Sequence, residues 1–528
     1  MKKLHFNNLA AGRERDRRRH SAHAASVLGV AVLLTAAPVH AAFYRFDDVS
    51  VAFDTTITAG ATMRVQDADE DSVSLGNQNF DEAGDVTSTL ARGTHEIDVR
   101  KGNFGFFGST TYLFDPVIYN DDDIPDEAQD EAGKNIKLLD AFGYWRGDVA
   151  GIETYGRLGN QVINWGESTF FPGGINTLNP VDVPASRTPG ADLREILFPV
   201  PAALLGANLT QNLSLEAFAQ LKWEPFELDP VGTFFSTSDV FGDGGGELVL
   251  GPGLAIPNAG RKDADDTGAF GITGSYTMPD LGYSEIGVYY LNYHSALPFL
   301  GLSPATTPGD ASTAAAFRIY PEDIDLYGIS FNTALGNWSL QGEYSYRDNL
   351  PIGLNAADFI PVFLGGDTAE TFDRFGYSQF QMTGTNILPP NTVPTVDQMS
   401  VIIEGGYNRV HDHPSAAELA GVTDDAYGAR MLLVPQWFDV FNIPGIGNFN
   451  MEGEIDYGYS IEGVSPASGP GFSEGDHQLG LSFGLKFQDR FSATLNYIGQ
   501  FGNDDADDER FNPSHDRDFI QLSTKYSF

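Results

Sequence analysis

The chain lacks cysteine altogether, is poor in basic residues and holds no long apolar run. Without Cys there is no disulfide scaffold, thiolate metal site, iron–sulfur cluster or Cys nucleophile. Lys and Arg number 31 against 72 Asp and Glu, a formal net charge of -41. So acidic a chain is no nucleic-acid binder, because phosphates must be met by cations. Past Ala42 the longest apolar candidate, Ile196 to Leu209, is broken by Pro199 and Pro201. With a mean hydropathy of -0.20, this excludes a helical membrane protein. A disordered chain is excluded too, since 41% hydrophobic content with 38 Phe and 21 Tyr can bury surface. A length of 528 residues suggests several soluble domains, unless the chain is one large β-barrel.

Residues 1–41 read as a secretory signal. Lys2, Lys3, Arg13, Arg15, Arg17, Arg18 and Arg19 form a basic segment, and Ala24 to Ala37 an apolar one. Val39-His40-Ala41 then offers small residues where a signal peptidase cuts, so cleavage is expected between Ala41 and Ala42. The alternative, a membrane anchor, needs roughly 20 apolar residues. No Cys follows the apolar run, which excludes a lipoprotein. The remaining chain, 42–528, carries a net charge of about -46, because the signal holds seven basic and two acidic residues.

What the mature chain does have is period-2 alternation, the signature of a strand with one apolar and one polar face. In His477–Phe487, Leu479, Leu481, Phe483, Leu485 and Phe487 share one face, with Gln478, Ser482 and Lys486 on the other. Asn450–Ile461 interleaves Glu452, Glu454 and Asp456 with Met451, Ile455, Tyr457 and Tyr459. Ser284–Tyr293 alternates less regularly. The chain ends FIQLSTKYSF. Its terminal Phe528, with Tyr526 two residues before, resembles the C-terminal signal that the outer-membrane assembly machinery of Gram-negative bacteria reads. Such strands suit a barrel with lipid outside and water inside. A sheet that crosses hydrocarbon must close.

Alternation alone yields sixteen strands. In outer-membrane barrels short turns and long loops alternate, and sixteen strands break that parity between Gly166 and Leu213 and between Pro351 and Asp397. A strand over Leu193–Thr210 and another over Arg374–Ile387 restore it. The expected fold is all-β: a transmembrane antiparallel β-barrel of about 18 strands (range about 14–18) with an inward-folded loop or plug. Short turns are expected at Lys101–Phe104, Asp148–Ile152, Gln211-Asn212, Asp280–Tyr283, Gly336-Asn337 and Gln488–Arg490. The acidic clusters Asp67–Asp71, Asp121–Glu131, Asp263–Asp266 and Asp504–Glu509 all fall in the long outer loops. They fit a divalent-cation layer bridging to lipopolysaccharide phosphates, a calcium site, or plain solubility in a salty habitat.

Asn160–Arg194 does not read as a strand. It is rich in Gly, Pro and Asn and carries Ile163, Trp165, Phe170, Phe171, Ile175 and Leu178. A long loop without regular structure is functional or disordered, and this one is too apolar for disorder. A segment folding back into the lumen accounts for it, so 160–194 is the expected constriction. The run also carries Trp165–Phe170 (WGESTF), Ile175–Asp182 (INTLNPVD), Gly190–Glu195 (GADLRE) and Asn212–Glu216 (NLSLE). These spaced motifs resemble the bacterial outer-membrane family catalogued as domain of unknown function 1302. The resemblance implies a transmembrane barrel. It also implies association with a periplasmic partner and with resistance-nodulation-division type exporters, often for hydrophobic compounds.

Three functions follow. The first is outer-membrane passage or binding of a hydrophobic or amphipathic molecule or lipid. Here Trp165, Phe170 and Phe171 make the apolar contact. Asn164, Asn176, Asn179, Asp182, Arg187, Arg194 and Glu195 hold the segment, with Arg157 and Gln161 as lumen partners. The second is a porin for small polar solutes, with Arg64, Arg100, Arg146, Arg157, Arg347 and Lys486 facing carboxylates such as Glu96, Asp98, Glu343 and Glu454; a purely structural envelope barrel stands beside it. The third, an outer-membrane hydrolase, finds no G-x-S-x-G step near any of the mature chain's histidines, and His411-Asp412-His413 is too small a set for a metal motif. No cofactor or nucleic-acid partner is expected.

Overall fold

The computed structural model describes residues 42–528 except 70–73, 252–253, 355–361, 363–365, 412–421, 445–446, 468–470, 489, 506–507 and 509. The expected signal segment with Ala41, and the pair Asp412-His413, lie outside the described residues. Ala42 opens a short strand, Ala42–Phe46, that pairs back onto the start of the first barrel strand.

Eighteen antiparallel strands close the barrel. The first five are β1 (Val49–Arg64), β2 (Val86–Lys101), β3 (Phe104–Phe114), β4 (Lys134–Val149) and β5 (Ile152–Gln161). They are followed by β6 (Val200–Asn208), β7 (Leu213–Gln220), β8 (Phe270–Met278) and β9 (Ser284–Tyr293). Next come β10 (Ile324–Leu335), β11 (Trp338–Gly353), β12 (Phe372–Leu388), β13 (Gln398–His411) and β14 (Asp425–Ile443). The last are β15 (Gly447–Glu462), β16 (His477–Phe487), β17 (Phe491–Phe501) and β18 (Phe519–Ser527). Each pairs with the next in sequence, and β18 pairs with β1 from Ser527↔Thr56 to Phe519↔Arg64. Tyr526 and Phe528 sit at this seam, where the Phe528 backbone exchanges hydrogen bonds with Thr55 at 2.8 and 2.9 Å.

Closure follows from the alternation. Residues such as Phe106, Ile136, Leu205, Ile272, Val288, Tyr344, Phe380, Leu481, Phe483 and Leu522 stand exposed on the outer face. Their neighbours along each strand turn inward. An apolar belt on a sheet without edges is the surface of an outer-membrane barrel. One rim carries tight turns. Ala150 (φ 56) and Gly151 (φ 85) make a two-residue hairpin with both angles positive, which matches the strand twist.

Two strand boundaries differ from expectation. β6 begins at Val200 rather than Leu193, because Leu193–Ile196 forms one helical turn. Asp192 and Glu195 cap that turn reciprocally, a D-x-x-E capping box. Pro201 lies just past the last rung to β7, Ala202↔Gln220, so its missing N–H breaks no bond on that side. The second added strand spans 372–388, close to its expected limits. Outside the barrel, a four-stranded sheet from the long loops lies on the outer side. It is built from Asn258–Lys262, Phe299–Ser303, Ala315–Ile319 and Ala369–Glu370.

Candidate functional site

Between β5 and β6 the chain leaves the wall and folds into the lumen as two arms. The first arm, residues 162–178, crosses the inner faces of β7 to β14. Trp165 enters a core with Ile163, Ile175, Leu178, Val200, Leu204, Phe218, Leu291 and Leu326. Its ring lies 5.0 Å from Phe218 and 6.2 Å from Tyr289, and its indole N–H donates to Glu216 Oε1 at 2.6 Å. The other Glu216 oxygen accepts from the Tyr155 hydroxyl at 2.8 Å. A buried indole needs such a partner.

The tip of the arm is held by two carboxylates on the facing wall. Glu343 of β11 accepts from the backbone N–H of Glu167 and from that of Ile175 at 2.7 Å, and from Gln381 Nε2 at 2.7 Å. Glu404 of β13 accepts from the N–H groups of Thr169 (3.1 Å), Phe170 and Phe171 (3.2 Å). Arg347 of β11 donates to the carbonyls of Gly173 and Gly174 at 2.6 and 2.7 Å. A turn without regular structure carries unpaired backbone groups, and buried ones must find partners; these three wall residues supply them. A Cβ on Gly174 would collide with Glu343 Oε1 and Gln381 Nε2, so the approach requires glycine there. Phe170 lies beneath the Arg430 guanidinium at 5.1 Å, and Phe171 meets Phe472 of an outer loop at 4.9 Å. Burial raises the pKa of the Glu167 carboxyl above the ordinary carboxylate range.

The second arm, residues 181–196, lies on β4, β2, β1 and β18. Asp182 caps the short helix Val183–Arg187 through the Ala185 N–H at 2.9 Å and accepts from Lys137 of β4 at 2.6 Å. Glu195 is buried against Arg92 of β2 at 3.1 Å and Thr94 at 2.6 Å. Arg92 also donates to Thr188 at 2.7 Å and to the Gly190 carbonyl at 2.8 Å. Lys525 of β18 pairs with Asp192 at 2.9 Å, and Gln521 donates to the Arg187 carbonyl at 2.6 Å.

Among the described residues, no hydrogen bond or ion pair joins this segment to β15, β16 or β17. That sector presents Glu452, Glu454, Asp456, Ser482, Lys486 and Asn496 on the inner face, as the pairings Glu454↔Ser482 and Ser482↔Asn496 require. Asp456 pairs with Arg430, and Glu452 with Lys486.

The structure brings the sequence-selected residues into this one segment with differing surroundings. Trp165 is buried, while Phe170 and Phe171 stay partly exposed. Asn164 accepts from Asn176 at 2.5 Å. Asn179 is buried, accepts from the Ile163 N–H and donates to the Phe198 carbonyl, both at 2.8 Å. Arg187 pairs with Asp229 at 3.2 Å beside Phe235, and Arg194 reaches Glu96 at 2.5 Å, which raises the Arg194 pKa. Arg157 lies over Phe142 at 5.6 Å. Gln161 is fully buried and donates to the Ala202 carbonyl at 2.7 Å.

Of the charges selected for a porin constriction, Arg64 is sealed under the outer loops by Asn77, Phe80 and Asp516, and Arg347 and Glu343 brace the first arm. Glu404 and Lys137 were not singled out from the sequence. His411 bonds Ser378 at 2.5 Å. Ser378 alternates with the inward Gln379 and shares the outward face of β12 with Phe380 and Met382, so this Ser–His pair lies on the outer side of the wall, with Ser378 buried beneath its neighbours. Several loop carboxylates have partners of their own: Asp263 pairs with Arg261 at 2.8 Å and Asp508 with Arg510 at 3.0 Å.

Among solved structures the chain is similar to the Pseudomonas aeruginosa protein OccD3 (OpdP), at 11% identity and a TM-score of 0.43, covering 90% of this chain and 91% of that one. It is similar to Acinetobacter baumannii OccAB1 at 12% identity and a TM-score of 0.42, covering 90% and 96%. It is also similar to the Acinetobacter baumannii outer membrane channel DcaP at 11% identity and a TM-score of 0.38, covering 93% and 100%. No curated protein matches the chain in sequence. Residues 22–528 match the family described as Protein of unknown function (DUF1302), and the chain belongs to that family.

Proposed function

We propose that the barrel passes small solutes across the outer membrane through the sector of β15–β17 that the inward segment leaves free. The observation that carries this reading is the layout of the two arms. One is braced on β7–β14 and the other on β18–β4, so the lumen is narrowed from two sides and not sealed by a plug bonded all round. The free wall bears Glu452, Glu454 and Asp456 against Lys486 and the nearby Arg430. Glu454 has no ion-pair partner among the described residues, so the local field favours cations. Planar-bilayer recordings test this: steady, cation-selective current supports it, and a silent barrel contradicts it.

A finer reading gives the cargo as hydrophobic or amphipathic. It is supported by a cavity beside the second arm whose wall includes Leu90, Leu113, Ile118, Phe234 and Phe235. On that reading a periplasmic partner and a resistance-nodulation-division type exporter deliver the cargo to the rim of tight turns. Co-purified lipophiles identified by mass spectrometry test it. The residues proposed to form the constriction are Asn164, Phe170, Phe171 and Asn176 at its edge. Trp165, Asn179, Asp182, Arg187, Arg194 and Glu195 hold it in place.

A further inference from the structure

A cavity of about 80 Å³ lies between the inner faces of β2, β3 and β4 and the second arm. None of its lining residues belongs to β15–β17. One water needs roughly 10–15 Å³ of such space, so the void takes a small organic molecule. Leu90, Leu113, Ile118, Phe234 and Phe235 make most of its wall apolar.

Its polar groups form a pattern. Arg92, Leu113 and Asn135 stand side by side on three neighbouring strands, through the rungs Arg92↔Leu113 and Leu113↔Asn135. Among the described residues, Arg92 Nε and Asn135 Oδ1 are buried without a hydrogen-bond partner, and so is Thr87 Oγ1 on the same wall. Arg92 and Thr87 are 4% and 2% exposed. Native proteins rarely leave such atoms unmatched. The charges, by contrast, are spent. Arg92 pairs with Glu195, Lys137 with Glu131 and Asp182, and Arg187 with Asp229. Asp115 is occupied by Ser88 and by the N–H groups of Thr89 and Val117. Carboxylates outnumber cations on this lining, so an anion is disfavoured, and each carboxylate already holds a partner, Glu131 Oε1 through Lys137 alone.

We propose that this cavity binds an uncharged small amphiphile of the alcohol or phenol class. The apolar body packs on Leu90, Leu113 and Phe234. The hydroxyl lies over the Arg92–Leu113–Asn135 row. A hydroxyl both accepts and donates, so one hydroxyl accepts from Arg92 Nε–H and donates to Asn135 Oδ1. This rests on the reading of an amphipathic cargo and not on conduction through the free sector, so a silent barrel in bilayers and an empty cavity are distinguishable outcomes.

Three probes of one shape test the proposal on the purified full-length barrel: benzyl alcohol, benzoate and benzylamine, titrated by ligand-observed NMR. Benzyl alcohol is expected to bind saturably, and the two charged probes about tenfold more weakly or less. Leu113→Trp fills the void and should abolish binding. Asn135→Leu removes the acceptor without filling the space, and should weaken benzyl alcohol about tenfold. Heat-modifiable gel migration confirms that each variant is folded, and Asn135→Leu carries the test if Leu113→Trp does not fold. Absence of saturable benzyl alcohol binding overturns the proposal. So does benzoate or benzylamine binding as tightly, or binding undiminished in the folded variants.

Discussion

Replacing Glu404 by Ala should release the tip of the first arm while leaving the barrel closed. The Glu404 carboxylate is fully buried and accepts three consecutive backbone N–H groups, those of Thr169, Phe170 and Phe171. A hydrogen bond to a charged group is worth about 1.5–3 kcal/mol, and a buried donor left unpaired costs about 1–3 kcal/mol. The three bonds share one acceptor, so the combined loss is on the order of 3–6 kcal/mol rather than their full sum. A change near 3 kcal/mol shifts the docked-to-free ratio of the tip more than about a hundredfold. The wall itself is unaffected, because β13 pairs with β12 and β14 through its backbone. Single-channel recording should show higher conductance and more open-channel noise, with heat-modifiable migration unchanged. Glu404→Gln keeps one acceptor oxygen and should fall between. An alanine variant with parental conductance and noise would refute the bracing argument.

Four further outcomes are expected. Deleting Glu167–Pro184 should raise single-channel conductance above that of Glu404→Ala; an unchanged value would mean the arms do not narrow the route. Glu454→Gln should lower cation selectivity, read as a reversal potential closer to zero in a salt gradient. Trp165→Ala should cost about 3–5 kcal/mol of local packing, seen as faster proteolysis within residues 160–199 while the barrel still migrates as folded. The fourth concerns pH. Burial pushes the Glu227 carboxyl up to about 7, against the lowering effect of Lys137 and with Glu131, Asp243 and Asp182 adding to the rise. A raised carboxylate pKa means the folded loop binds the extra proton, so its stability is highest below the ordinary carboxylate range and falls as pH rises towards about 7. Loop 226–247 should therefore be cut faster at pH 8 than at pH 5.5, and Glu227→Gln should flatten the difference.

The barrel was legible because its physics repeats along the chain. Each strand must show lipid one face and water the other, and Leu481, Phe483, Ser482 and Lys486 report that within one segment. Loop parity located β6 and β12, though the start of β6 was misplaced. Asp192-x-x-Glu195 is a helix-capping pattern, the local signal for the turn that precedes the strand. The aromatic density of 160–171 pointed to an inward segment, but composition does not distinguish a ring that packs a core, as Trp165 does, from one that lines a route. Glu404 left no local signal. Its partners Thr169, Phe170 and Phe171 lie more than two hundred residues away in sequence, and only closure of the barrel brings them together. Arg347 and Glu343 show the same limit: they read as lumen charges, and their bracing role depends on which loop docks above them.

The central claim is that solute moves along β15–β17 while the opposite wall is covered. The absence of cysteine allows a clean accessibility test. Single cysteines at Ser482 and Asn496 on the free wall, and at Ser330 and Leu291 on the wall under the first arm, would be treated with a charged methanethiosulfonate during bilayer recording. The account predicts that current through Ser482→Cys and Asn496→Cys channels falls on modification, while Ser330→Cys and Leu291→Cys channels are unaffected. Block at Leu291 or Ser330, with none at Ser482 or Asn496, would contradict it.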